Sequence, residues 1–232
     1  MNIIDVADKF MARVAQYHEH RVEGLEHIPA SGPALIVVNH SLATYDSGLL
    51  AAAVRAKLGR NVHLLGDRYI FKIPLIRDMA SAYGFVEGSQ DNADNLLRDG
   101  ELVLVAPGGM REALKPSSQR YQLKISDRKG FAKLAARAGA PVILSACPAA
   151  DDLYHVVSNP LTDWVYNRHR LAAPIAFGAF GTIVPKPAKL VHYLSEPIFP
   201  PENCTDDNLE EISSFHAMLE SRLQGMLTAH AN

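Results

Sequence analysis

The sequence predicts an α/β fold in which helices cover both faces of one β-sheet. Two observations carry this prediction: short, β-branched apolar runs alternate with helical patterns, and the runs are apolar throughout rather than at every second position. Alternating strands and helices are typical of α/β sheets, and continuously apolar strands are buried on both faces. The 232 residues suit a single domain, since no linker or internal repeat divides them.

The predicted strands are short apolar runs bounded by turn residues. The first run, 34–39, follows the turn sequence Ser-Gly-Pro and is too short for a typical helix. The other runs are 62–65, 82–86, 102–106, 142–146 and 190–194. These runs predict six strands.

Helical patterns lie in intervals between the strands. Segment 48–58 is rich in alanine and leucine, and segment 127–138 ends at Gly139, a residue that favours helix termination. Segment 91–98 follows Ser89, whose hydroxyl is a helix-capping candidate. Three of the five intervals between the predicted strands therefore contain a helix candidate.

Amphipathic patterns predict a helix at each end of the chain. The carboxyl-terminal helix is predicted to begin at Thr205 or Asp206. Residues 1–20 are predicted to form an amphipathic helix that precedes the main domain, 21–232. Two interpretations of the first helix are open: it covers the core, or it lies on a membrane through a mostly hydrophobic face.

Composition excludes several classes of function. A net charge of −2 supplies no positive field to hold nucleic acid. The two cysteines, Cys147 and Cys204, are too few for a disulfide framework or a zinc cluster, so we expect no metal site and a reducing compartment. Cys147 ends a predicted strand and is expected to be a buried, unreactive thiol. We expect no secretory signal and no membrane-spanning segment.

The loop after the first predicted strand carries a histidine and an aspartate, His40 and Asp46. A carboxylate hydrogen-bonded to one imidazole nitrogen fixes the tautomer and stabilises the imidazolium formed when the other nitrogen takes a proton. Six residues apart, the pair cannot share one helix face, so a turn must separate them, with Asp46 near the first turn of the next helix. Two interpretations are open: a catalytic pair, or a helix cap beside a structural histidine.

The loop after run 102–106 reads PGGMRE. Gly108 and Gly109 allow backbone amides to converge on an anion, and Arg111 offers a planar fork for phosphate or carboxylate. A tight turn followed by a surface arginine is the alternative. No Gly-x-Ser-x-Gly nucleophile motif occurs. A base with an orienting carboxylate and no adjacent nucleophile indicates that the substrate supplies the attacking group.

These motifs resemble the conserved blocks of the glycerolipid (lysophospholipid) acyltransferase superfamily. VNHSLATYDSGLL resembles the first block, an Asn-His followed by an Asp; LVLVAPGGMREALKP resembles the third, and GAPVILSACPAADDLYHV the fourth. The matches cover most of residues 25–202 in the family's order, so the chain is identified as a member. The resemblance implies a single-domain α/β fold with a mixed, largely parallel sheet flanked by helices.

Departures from the usual blocks indicate a branch within the superfamily. Members that form phosphatidic acid have four residues between the histidine and the aspartate, whereas five separate His40 from Asp46. Their third block reads Glu-Gly-Thr-Arg, whereas here Gly108 replaces the glutamate and Met110 the threonine, with Arg111 in register. The chain looks more like relatives of type 2 diacylglycerol acyltransferase and phytyl ester synthases, which acylate neutral alcohols.

The resemblance implies an O-acyltransferase of lipid metabolism. His40 is expected to deprotonate an acceptor hydroxyl, which attacks the thioester of an acyl-CoA or acyl carrier protein, while Asp46 orients the ring. Amides near Gly108 and Gly109 are expected to stabilise the oxyanion, and Arg111 to position the acceptor or a donor phosphate. No further cofactor is expected. An acyl-thioester hydrolase and a non-catalytic acyl-lipid-binding protein are the alternatives.

The expected partners are an acyl thioester, a lipid alcohol and the inner face of a membrane, contacted peripherally from the cytoplasm. Segment 111–129 carries a net charge of +4, which is interpreted as a solvated surface or as a landing site for CoA phosphates or anionic headgroups. In the second case Lys115, Arg128 and Lys129 bind substrate. The uncharged segment 171–184 is interpreted as core, or as a segment that lines an acyl groove or dips into lipid.

Overall fold

The computed structural model describes residues 3–67, 71, 80–81, 84–125, 127–158, 174–202, 204–205 and 207–231. Its helices and strands, in chain order, are α1 (Ile3–Tyr17), β1 (Arg21–Glu23), β2 (Ala34–Val38), α2 (Tyr45–Leu58), β3 (Val62–Gly66), β4 (Phe85–Glu87), α3 (Gln90–Arg98), β5 (Leu102–Val105), α4 (Gly109–Ala113), α5 (Gly130–Ala138), β6 (Val142–Ala146), β7 (His155–Val157), β8 (Ile175–Phe177), β9 (Val191–Leu194) and α6 (Leu209–His230).

Seven of the described strands form one sheet in the order β1-β9-β6-β2-β5-β3-β4. Neighbouring strands run parallel, except that β9 pairs antiparallel with β6. The predicted mixed, largely parallel sheet is therefore confirmed. Strands β7 and β8 form a separate antiparallel ribbon. The six predicted runs all correspond to strands of the large sheet, although residues 82–83 of one run lie outside the described residues.

Helices cover both faces of the sheet, as predicted. On one face, α3, α5 and α6 enclose a buried cluster that includes Leu97, Phe131 and Leu219. On the other face, α2 contributes Leu50 and Val54 to a second cluster. The central strands β2, β5 and β6 are consequently buried on both sides, which is why their sequences are almost entirely apolar.

The amino-terminal helix α1 packs against α2, where Met11 and Leu49 belong to the same buried cluster. The rings of Phe10 and Tyr17 are exposed on another part of α1. Helix α1 thus covers part of the core through one face and presents aromatic rings through the other. Among the described helices, none is long and apolar enough to cross a bilayer.

Capping side chains and a left-handed glycine determine where three of the helices begin or end. The Ser89 hydroxyl accepts a hydrogen bond from the Asn92 backbone N–H at 3.1 Å, and Gly139 ends α5 with a φ of 57°, so both predicted boundaries are confirmed. The predicted start of the last helix at Thr205 or Asp206 is wrong. Helix α6 begins at Leu209, because the Asn208 side-chain oxygen accepts from the Glu211 N–H at 3.3 Å and caps it there.

The uncharged segment 171–184 is described from residue 174 onward, and that part lies on the surface. Phe180 and Ile183 are almost fully exposed, and Ile175 and Phe177 of strand β8 are partly exposed. Interpretation of this segment as core is therefore wrong for residues 174–184.

Asn39 joins the carboxyl ends of β2 and β6. Its Nδ2 donates to the carbonyl oxygen of Cys147 at 3.1 Å, and its Oδ1 accepts from the backbone N–H of Cys147 at 2.8 Å. Both residues are buried. This pair of hydrogen bonds fixes the point at which the chain leaves the sheet for the loop that begins at His40.

Replacing Asn39 with alanine should lower the free energy of unfolding by about 1–3 kcal/mol, because it leaves the buried N–H of Cys147 without a partner. The Cys147 carbonyl oxygen keeps its hydrogen bond from the Ala150 N–H at 3.2 Å. Urea unfolding measures the change. The exposed Asn61, in the loop before β3, provides the control: Asn61→Ala should change stability by less than about 0.5 kcal/mol. Equal effects of the two substitutions would contradict the assigned role of Asn39.

Candidate active site

A cavity of about 470 Å³ opens at the carboxyl ends of β2, β3 and β5. Its walls combine apolar side chains, such as Leu64, Phe85 and Phe131, with the polar groups of His40 and Ser47. The ends of parallel strands meet at this edge of the sheet, where α/β proteins bind their ligands. The cavity has the apolar character that an acyl chain requires.

His40 lies at the wall of this cavity, two residues after the end of β2. Its backbone N–H donates to Oε1 of Glu112 at 2.9 Å, which fixes the start of the loop. Burial lowers the pKa of the His40 ring to about 4, and the positive charge of Lys115 acts in the same direction. The ring is therefore neutral at pH 7, the form in which it can accept a proton.

Asp46 is the second residue of α2, as the six-residue spacing predicted. The preceding turn closes through Thr44, a non-glycine residue with a left-handed φ of 62°. The Asp46 carboxyl group is buried: Oδ1 accepts from the Ser41 hydroxyl at 3.3 Å, whereas Oδ2 has no hydrogen-bond partner. Burial raises the pKa of Asp46 to about 6, against the lowering effect of the Ser41 hydroxyl and nearby backbone amides.

The loop brings His40 and Asp46 to the same edge of the sheet, but the described side chains share no hydrogen bond. The Asp46 carboxyl group lies beside Cys147 and His192, with its oxygen, the Cys147 Sγ and a His192 ring nitrogen all within 4.8 Å of one another. Cys147 is buried, and burial raises the pKa of its thiol well above the ordinary value, as expected for an unreactive cysteine.

The Pro-Gly-Gly turn is braced by an arginine. Gly109 adopts a left-handed φ of 52°, and Nη1 of Arg128 donates to the carbonyl oxygens of Pro107 at 3.1 Å and Gly108 at 3.0 Å. The Gly109 N–H donates to the carbonyl oxygen of Ala106 at 3.0 Å. The expectation that this amide stabilises an oxyanion is therefore corrected, because the N–H already has a partner.

The structure separates the predicted substrate-binding residues. Gly109 and Arg128 line the cavity, whereas Gly108 is buried behind it and Arg111 is exposed on α4. Lys115 is buried, with its Nζ 2.9 Å from Asp151 Oδ2. This ion pair contradicts the expectation that Lys115 binds substrate phosphate.

Lys129, the remaining predicted ligand, contacts helix α6. Its Nζ donates to the Ser213 hydroxyl on α6 at 2.8 Å. The basic side chains of segment 111–129 thus lie in different environments. The positive charge counted along the sequence does not form one binding site for phosphates. Sequence spacing could not distinguish lysines that pair internally from those that face a ligand.

Glu112 is a functional candidate that sequence reasoning did not select. It is fully buried in α4, and its two carboxylate oxygens accept from the backbone N–H groups of His40 and Lys124. Burial raises the pKa of Glu112, while Lys115 and the two amides act in the opposite direction. An acidic residue next to an arginine in a surface-like stretch gives no sequence signal of such burial.

Comparisons with known proteins agree with this architecture. The family model described as Acyltransferase matches residues 19–147. The proteins named "DGAT1/2-independent enzyme synthesizing storage lipids" from Bos taurus and Homo sapiens are each 30% identical over 207 residues, or 89% of this chain. The chain spans 60% and 62% of their lengths.

A solved structure gives the corresponding match in three dimensions. The crystal structure of the 1-acyl-sn-glycerophosphate (LPA) acyltransferase PlsC from Thermotoga maritima superposes with a TM-score of 0.57 over 96% of this chain and 79% of that chain. At 19% sequence identity, this similarity is one of fold.

Asp46→Asn should stabilise the protein above pH 6. The folded chain holds the Asp46 proton up to about pH 6, whereas an unfolded chain releases it near 3.8. The contribution of Asp46 to the unfolding free energy is therefore highest below pH 4 and falls by roughly 2–3 kcal/mol as the pH rises through 6. Asparagine does not ionise, so the variant should melt several degrees higher than the parent at pH 8 and within a degree or so of it near pH 4.

Scanning calorimetry at the two pH values measures this difference. Asp99→Asn, at an exposed residue that ends α3, is the matched control and should leave the melting temperature unchanged at both. A lower melting temperature of Asp46→Asn than of the parent at pH 8 would show that the Asp46 charge is stabilised in the fold.

Proposed function

The chain belongs to the acyltransferase family, and from this premise we propose that it transfers an acyl group from a thioester donor to a lipid hydroxyl. The observation that carries the proposal is the neutral His40 ring at the wall of a largely apolar cavity. The storage-lipid synthesis in the names of two relatives supports a lipid substrate. The chain spans about 60% of the length of these relatives.

In the proposed reaction, a His40 ring nitrogen takes the proton of the acceptor hydroxyl as the oxygen attacks the thioester carbonyl. The tetrahedral intermediate collapses, the carbon–sulfur bond breaks, and the leaving thiolate receives the proton from His40. The products are an ester and a free thiol. His40 has the low pKa of a base that is unprotonated at neutral pH, and it needs a negative charge nearby when it becomes an imidazolium.

Asp46 is the proposed source of that charge. Its buried Oδ2 has no hydrogen-bond partner in the structure, and Asp46 is ionised above its pKa of about 6. A change of side-chain rotamer is required, since the two groups are not hydrogen-bonded in the structure. Proton transfer to His40 supplies the charge that favours this movement.

The acceptor is proposed to be a neutral lipid alcohol, such as a glyceride or a long-chain alcohol. Among the described residues that line the cavity, Arg128 is the one lysine or arginine, and its Nη1 donates to two backbone carbonyls. Lys115 and Lys129 are engaged elsewhere. A phosphate-bearing acceptor would meet little uncompensated positive charge there. The donor is proposed to be acyl-CoA or an acyl carrier protein.

We further propose that the protein acts from the cytoplasm, on the inner face of a membrane, through an apolar tip formed by residues 175–184. Phe180, Ile183 and Val184 of this tip are exposed. The tip adjoins α1, because the Tyr17 hydroxyl donates to the carbonyl oxygen of Pro185 at 2.8 Å. Exposed aromatic and aliphatic side chains on a tip next to an amphipathic helix suit the surface of a bilayer, where both proposed lipid substrates reside.

His40→Ala should reduce acceptor-dependent thiol release by about 10²–10⁴-fold, because it removes the general base. The assay measures free thiol from several acyl-CoAs with monoacylglycerol, diacylglycerol, a long-chain alcohol or lysophospholipid as acceptor. His230→Ala, at an exposed histidine that ends α6, is the control and should retain full activity.

Three results would overturn the proposal. Full acceptor-dependent activity of His40→Ala would remove His40 from the mechanism. Thiol release that is independent of acceptor would indicate a thioester hydrolase. Binding of acyl-CoA without turnover across the whole panel would indicate a non-catalytic lipid-binding protein.

Phe180→Asp should reduce the fraction of protein that cosediments with phosphatidylcholine–phosphatidylglycerol vesicles several-fold, because a charge replaces a fully exposed ring on the apolar tip. Phe199→Asp is the matched control: Phe199 is also exposed but follows Ile198, which pairs with Val142 at the amino end of β6, away from the cavity. Equal vesicle binding by the parent and Phe180→Asp would exclude the tip as the membrane contact.

A further inference from the structure

We infer that Glu112 is the positioning residue of the proposed base: its carboxylate holds the His40 backbone, in space that Gly108 leaves free. The inference rests on the proposed function, in which His40 is the base. Glu112 itself does not line the cavity, so it acts through His40 and not on substrate.

The contacts of Glu112 join three segments of the chain. Its Oε1 accepts from the His40 N–H at 2.9 Å, across 72 positions of sequence, and its Oε2 accepts from the Lys124 N–H at 3.2 Å. Hydrogen bonds from amides to a carboxylate are stronger than those between neutral groups. The carboxylate therefore fixes the loop after β2 to α4 and to the segment that follows it.

Gly108 leaves the space that this carboxylate occupies. Its φ of −62° and ψ of −28° are ordinary right-handed values, so its backbone conformation does not require glycine. A Cβ at position 108, however, would lie 1.9 Å from Oε2 and 2.6 Å from Cβ of Glu112. Glycine at 108 is therefore required by the Glu112 side chain, because a side chain at position 108 and Glu112 cannot occupy this space together.

The positive charge of Lys115 balances the charge of Glu112. Lys115 Nζ lies 3.8 Å from Glu112 Oε1 and 2.9 Å from Asp151 Oδ2, and all three residues are largely buried. The positive charge of Lys115 also lowers the pKa of His40. Glu112 therefore acts on the base twice, by holding its backbone and by offsetting the cation next to it.

The test compares Glu112→Ala, Glu112→Gln and the exchange variant Gly108→Glu/Glu112→Gly, in which position 112 also loses the Cβ that would lie 2.6 Å from a Cβ at position 108. Glu112→Ala should reduce kcat about 10–100-fold with the KM for acyl-CoA changed less than about threefold, because misplacing a catalytic group costs rate more than binding. The acidic limb of the kcat–pH profile should move in Glu112→Ala. The reason is that Lys115, whose charge lowers the pKa of His40, loses the negative charge of Glu112. Glu112→Gln should be intermediate, because an amide accepts from only one of the two N–H groups.

The exchange variant decides between a positioning role and a merely structural one. It supplies a carboxylate from position 108 instead of position 112 and should recover at least about tenfold of the kcat that Glu112→Ala loses. Leu219→Ala, which removes a buried side chain from α6, is the control: it should lower the melting temperature with kcat per folded molecule unchanged. An exchange variant that folds and is no faster than Glu112→Ala would overturn the inference.

A readout that is independent of turnover separates this inference from the proposed function. The His40 amide proton, deshielded by its hydrogen bond to a carboxylate, should move upfield by NMR in Glu112→Ala and return in the exchange variant. That result, in a parent protein with no turnover, would keep Glu112 as the residue that fixes the loop while removing the acyl-transfer role. An unchanged amide shift in Glu112→Ala would overturn the contact itself.

Discussion

The parallel pairing of β2 with both β5 and β6 is the constraint on which the rest of the structure depends. All five residues of β2 are buried, and the register places Val37 beside Val105 on one side and Leu144 on the other. Because the three strands point the same way, the loops that follow β2 and β5 emerge at one edge of the sheet. This register brings His40 to Glu112, although the residues are far apart in sequence.

The same edge of the sheet contains buried ionisable groups, so the protonation of the site affects the stability of the fold. Burial lowers the pKa of His40 and raises the pKa values of Asp46 and Glu112. A histidine that is neutral and a carboxyl group that titrates near pH 6 suit proton transfer at neutral pH. Keeping an ionised carboxylate away from water costs folding free energy, so this site is maintained by the stability of the surrounding sheet.

Much of the fold followed from the sequence because burial on both faces leaves a continuous apolar signature. The three-residue strands β1, β7 and β8 escaped prediction, since their exposure alternates or is partial and no such signature arises. The Ser89 cap was predictable from local chemistry, whereas Asn208 was missed because earlier polar residues offered equally good caps. At the site, the spacing predicted the turn between His40 and Asp46 and the place of Asp46 in the first turn of α2, but not that the two side chains share no hydrogen bond. The burial of Lys115 and Glu112 depends on tertiary packing that no local pattern encodes.

The large sheet ends in two very short strands, β1 and β4, each of three residues. An outer strand presents unpaired backbone amides and carbonyls to which a strand of another molecule can add. Three residues give such a strand little length to template further pairing. The outer strands described here are therefore poor templates for the addition of a strand from another molecule, which is the first step towards fibrous aggregates.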